Sequence, residues 1–111
     1  MNTLRNKVQL IGRLGQDPEV KTLENGNKLA RFSMATNESY KNKNGEKVDK
    51  TQWHHVVAWG NTATIIEKYV TKGQEVAIEG KLNNKSYDDK NGTTHYITEI
   101  IANEIQMLSK P

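Results

Sequence analysis

The stretch Thr51-Gln52-Trp53-His54-His55-Val56-Val57-Ala58-Trp59-Gly60 constrains the chain more than any other. Its β-branched and aromatic residues predict a β-strand, and Gly60 closes it before a helical pattern begins. Strand side chains alternate between faces, so Trp53, His55, Val57 and Trp59 share one face while Gln52, His54, Val56 and Ala58 share the other. Both tryptophans of the chain therefore point the same way. Val56 and Ala58 supply a core on their side. The tryptophan side is either buried as well or made to be touched.

Alternation predicts four further strands. From Lys7 to Leu14, Val8, Leu10, Gly12 and Leu14 share a face. Gly15 to Pro18 is turn chemistry, and Glu19 to Leu23 continues the strand towards a turn at Asn25-Gly26. In Leu29 to Thr36, Ala30, Phe32, Met34 and Thr36 look inward. Asn44-Gly45 lies midway along Asn37 to Thr51, which reads as a long polar hairpin arm. After Gly60, Asn61 or Thr62 caps a helix with Ala63, Ile66, Tyr69 and Val70 on one side, ended by Lys72-Gly73. Glu75 to Leu82 turns Val76, Ile78, Gly80 and Leu82 inward. Asn91-Gly92 then leads into Thr94 to Ala102, apolar on both faces. Five strands with a single helix between the third and fourth are the layout of an all-β OB-fold, a five-stranded Greek-key barrel that commonly binds oligonucleotides.

Composition narrows the function. A chain of 111 residues is one domain by size. With 34% hydrophobic and 26% charged residues its interior is small, and self-association would help it. The absence of Cys excludes disulfides and thiol chemistry and suits a reducing compartment. No run approaches the roughly 20 apolar residues of a membrane span, and no signal-peptide segment leads the chain, so a cytoplasmic location is expected. A net charge of +3 tilts towards a polyanionic partner. His54 and His55 point to opposite faces and His95 stands apart, so no metal site, cofactor site or catalytic constellation is expected.

The wording adds to the pattern. Asn6 to Val20, Ala35-Thr36-Asn37-Glu38-Ser39-Tyr40, Thr51 to Val57, Gly60, Tyr69, Lys72-Gly73, Ile78-Glu79-Gly80-Lys81-Leu82 and Gln106-Met107-Leu108 resemble, in order, the bacterial single-stranded DNA-binding protein family. The resemblance implies binding of single-stranded DNA during replication, recombination and repair, and assembly as a homotetramer through the first strand and barrel surfaces including Val8, Leu10 and His54. Stacking a base on an aromatic ring is worth about 1–3 kcal/mol whatever the base. The family's four stacking positions fall on Tyr40, Trp53, Trp59 and Tyr87. Counting by twos from Phe32 and Met34 puts Tyr40 on the core face, an objection that lapses if the arm has left the barrel by Thr36. Phe32 and Tyr69 are expected in the core, and Tyr96 is undecided.

Candidate phosphate contacts are Lys41, Lys43, Lys47 and Lys50 on the arm, and Arg13, Arg31, Lys72, Lys81 and Lys85 beside the barrel strands. The expected domain is 1–108, with 109–111 a short end lacking the family's acidic tip, so tail-mediated protein partners find no support in the residues. An OB-fold RNA binder or a replication accessory shares the same surface physics. A protein-interaction scaffold would bury or idle the tryptophans.

Overall fold

The computed structural model describes residues 4–108, so Ser109 to Pro111 lie outside the described residues. In chain order the elements are β1 (Val8–Leu14), β2 (Glu19–Thr22), β3 (Lys28–Lys41), β4 (Lys47–Trp59), α1 (Gly60–Tyr69), β5 (Glu75–Asp88) and β6 (Thr94–Met107). β1 and β2 are halves of one bent strand, because both pair antiparallel with β3: Leu14 lies opposite Met34 and Glu19 opposite Arg31. Counted this way, five strands follow the order β1-β5-β6-β4-β3, and the β1–β3 pairing closes them into the expected OB-fold barrel.

Alternation places the core. Ala30, Phe32 and Met34 of β3, Val56 and Ala58 of β4, Val76 and Ile78 of β5, and Ile100 and Ala102 of β6 fill the barrel, plugged by Ala63 and Ile66 of α1. Each large apolar side chain buried here stabilises the fold by about 1.5–3 kcal/mol. Closure depends on Gly12: a Cβ there would lie 2.2 Å from the Ala35 carbonyl oxygen, so β1 crosses β3 only without a side chain. Gly60 has φ of 63°, the left-handed region that lets β4 turn straight into α1.

Three expectations need correction. Neither Asn61 nor Thr62 caps the helix; Trp59 is the N-cap residue and no side chain caps it. Thr62 Oγ1 instead donates to the Asn103 carbonyl at 3.2 Å. Asn103 is the unopposed residue of a bulge, since Glu79 pairs with Glu104 but Gly80 with Ala102, and the bond ties α1 to β6 there. Tyr69, expected in the core, is exposed at the last turn of α1. Leu82 is also exposed, because Gly80 is the last buried residue of β5.

The strands outrun their barrel portions. β3 and β4 stay paired from Asn37–Thr51 out to Lys41–Lys47, forming the expected arm. β5 and β6 form a second arm, paired out to Asp88–Thr94. Together the arms extend the molecule to 56 × 43 × 34 Å. Among the described residues no helix is long and apolar enough to cross a membrane.

Candidate nucleic-acid interface

Register shows which residues share the tryptophan face. Across from Trp59, Val57, His55 and Trp53 on β4 lie Leu29, Arg31, Ser33 and Ala35 on β3. On β4's other side His55 and Val57 are level with Glu99 and Ile101 of β6. Beyond these, Asn83, Lys81, Lys85 and Tyr87 of β5 pair with Glu99, Ile101, Ile97 and His95. Directly paired residues point to the same side, so one outer face crosses β3, β4, β6 and β5. On it Trp53, Trp59 and Tyr87 are 59%, 47% and 50% exposed. The tryptophan side is open, with buried Val57 as part of its floor. A cleft of about 250 Å³ runs through the middle, lined among others by Arg31, Ser33, His55, Val57, Ile97 and Glu99.

Local contacts orient the rings. Trp53 lies against Gly15: a Cβ there would be 2.6 Å from its Cζ3, so the β1–β2 turn supports the indole only while residue 15 is glycine. Tyr87 stacks on His95, with ring centroids 5.1 Å apart and planes at 22°. His95 Nε2 lies 2.8 Å from Asp89 Oδ2. The bond from His95, followed by the Thr93 and Asn91 backbone N–H groups, holds the Asp89 carboxyl below its ordinary value of 3.8 against an opposing desolvation. Tyr40 is exposed but pairs with Val48 on the reverse pleat, the continuation of the Phe32 and Met34 face. The arm has left the core there, so Tyr40 is accessible, yet on the opposite pleat from Trp53. Tyr96 is exposed on the reverse side of the second arm, opposite Ser86.

The cations divide by position. Arg31, Lys81 and Lys85 share the aromatic face. Lys41 and Lys47 face each other in register on the same pleat as Trp53. Like charges directly opposite repel, so this pair favours an anion between them. Lys50 pairs with Glu38 on the reverse pleat. Lys43 sits in the arm's turn. Arg13 donates from NH1 to the Gly73 carbonyl at 2.9 Å, and the Lys72 backbone N–H donates to Asp17 at 2.8 Å, so both lie near the barrel's closure, where Arg13 is in register with Ala35, the partner of Trp53. His54 and His55 are split as expected, His54 Nε2 lying 3.0 Å from Thr36 Oγ1 on the inner pleat.

Sequence reasoning assigned no role to Glu99. It is a buried carboxylate at the centre of the face, with Oε1 3.2 Å from Lys85 Nζ and Oε2 4.0 Å from an Arg31 nitrogen. The available signal was an acid among Ile97, Ile100 and Ile101.

A closed five-stranded barrel with one helix, two arms and an open face of aromatic and cationic side chains defines an OB-fold protein of the kind that presents a strand-wide binding surface. Comparison makes this particular: the chain belongs to the single-strand binding protein family, whose model matches residues 5–108. It is 45% identical over 104 residues to single-stranded DNA-binding protein 1 of Chlorobaculum tepidum, covering 93% of this chain and 64% of that protein. It is 42% identical over 106 residues to single-stranded DNA-binding protein 1 of Xylella fastidiosa, covering 95% and 78%. Among solved structures, the Plasmodium falciparum SSB complex with ssDNA matches with a TM-score of 0.90 at 38% identity, over 98% of this chain and 100% of that one.

Proposed function

We propose that this protein binds and protects single-stranded DNA, without strong sequence preference, during replication, recombination and repair. The observation that carries the reading is the exposure of Trp53, Trp59 and Tyr87 on one face interleaved with Arg31, Lys81 and Lys85. Unpaired bases offer flat faces for stacking, and their phosphates meet the cations. The Lys41–Lys47 pair on the β3–β4 arm, with Lys43 and Lys50, extends the cationic surface. Tyr40 stacks a base from the arm, while Arg13 and Lys72 contribute at the barrel's edge. The relatives named as single-stranded DNA-binding proteins and the ssDNA-bound Plasmodium structure support the same reading.

The segment 1–108 acts as the DNA-binding domain, by binding and without catalysis or a cofactor, in the cytoplasm at the nucleoid. It works as a homotetramer. The test is a tryptophan-fluorescence titration with a long thymidine oligomer at two salt concentrations, alongside an RNA oligomer and duplex DNA of equal length. Strong, salt-dependent quenching by the DNA single strand alone is expected. Binding without quenching would remove the tryptophans from the site, and preference for RNA would replace the ligand.

A further inference from the structure

A buried carboxylate in the middle of a surface that grips phosphates needs a reason. Glu99 has a side chain only 9% exposed, whereas its two partners, Arg31 and Lys85, are 52% and 53% exposed. The partners approach from opposite sides, Arg31 from β3 across β4 and Lys85 from the neighbouring β5. Desolvation makes an unpaired carboxylate costly, so in the free protein Glu99 must hold at least one of them. Charge attraction is also stronger at a shielded site than in water. A DNA phosphate arriving from solvent therefore competes poorly for Lys85, which is the closer partner. Arg31, at the outer limit of ion pairing, is only partly committed.

We infer that Glu99 is a specificity-determining residue of this face: it offsets one of the two positive charges of Arg31 and Lys85 from beneath, chiefly that of Lys85, withholding phosphate-binding charge so that a ligand must offer bare base faces to be held. The inference rests on the reading of the face as a single-stranded DNA site. Its logic is differential. A single strand brings both stacking and phosphate contacts, whereas a duplex hides its base faces and brings phosphates alone, at higher charge density. Removing charge from the surface thus weakens duplex binding proportionally more. Lys81 is the internal control, since it shares the outer face, opposite Ile101, and forms no ion pair among the described residues.

The experiment measures the salt dependence of binding to a thymidine oligomer and to a duplex of equal length, with thermal melting to verify folding. In the otherwise unchanged protein, Lys81→Gln flattens the single-strand slope by about 0.7, one full phosphate contact. Lys85→Gln flattens it by clearly less, because Glu99 already holds that charge. Glu99→Gln keeps the shape and removes the anion. It steepens the single-strand slope by about 0.7 and the duplex slope by about 0.9, narrowing the preference for single strands. Adding Lys85→Gln to Glu99→Gln then flattens the slope by the full step. Equal effects of Lys81→Gln and Lys85→Gln overturn the inference, as does an unchanged preference in Glu99→Gln. If Glu99→Gln does not fold, the two lysine variants decide alone. Failure of the unmutated protein to bind the thymidine oligomer overturns the functional reading and the inference together; binding with unaltered slopes overturns only the inference.

Discussion

Trp53 contributes through its position more than through stability. Its ring is exposed, so Trp53→Ala should leave the unfolding transition nearly unchanged while weakening single-stranded DNA binding by about 1–3 kcal/mol, the worth of one stacked base. Trp53→Phe should retain most of the affinity. A large loss of stability in Trp53→Ala would mean that the ring is a packing residue. Gly15→Ala acts on the same ring from below. The new methyl meets Cζ3 at 2.6 Å, but an exposed side chain can swing away, so the expected outcome is a shifted indole spectrum and a smaller affinity loss in a normally folded protein. An identical spectrum and affinity would show that Gly15 does not set the ring. Strand parity made Trp53 legible in the sequence, whereas its support was not, because the contact with Gly15 depends on how β1 bends into β2. Glu99 escaped for a related reason: parity assigns a face, but only the neighbouring strands determine that a residue on an open face is buried.

At the scale of elements, the unexpected part is the second arm. The apolar alternation that marks β5 in the sequence ends at Leu82, yet the backbone ladder continues to Asp88. A polar hairpin needs no core to remain paired, so its length is invisible to hydrophobic patterning. Tyr69 differs for another reason: Ala63, Ile66 and Val70 form the buried stripe, and Tyr69 lies beside it, exposed. At the tip of the second arm, Asp89, His95 and Tyr87 form one unit. Because the folded arm lowers the Asp89 pKa, its contribution is fully present above the ordinary value of 3.8 and is lost as pH falls below this through the depressed value. Acid titration followed by NMR should show Tyr87 and His95 resonances at the tip keeping their dispersion until the pH drops under about 3.8, then collapsing in step with Asp89 protonation. Collapse at higher pH would mean that a different group holds the tip. Asp89→Asn should remove the acid transition.

At the scale of the whole molecule, the barrel is closed at one end of β1 and open along the rest of it. Val8 to Arg13 pair with β5, but towards β3 only Arg13 and Leu14 find partners among the described residues. Val8 to Gly12 therefore form a strand edge, and Ile11 projects from it exposed. An unpaired edge carrying an apolar side chain is a template for another strand, which natural proteins protect or use. An identical copy can meet it about a two-fold axis, strand against strand, so that each edge satisfies the other. The small core anticipated from composition makes the same demand, because burial between copies adds apolar area that one barrel lacks. The proposed homotetramer predicts a sedimentation mass about four times the chain's 12.6 kDa. Ile11→Lys places a charge in the middle of that edge, where burial would leave it unpaired. It should lower the mass to that of smaller species while the barrel, whose core it does not touch, keeps its circular dichroism spectrum. An unmutated chain sedimenting at 12.6 kDa would overturn the tetramer. A tetramer unaffected by Ile11→Lys would move the interface away from β1, leaving the exposed edge without a partner.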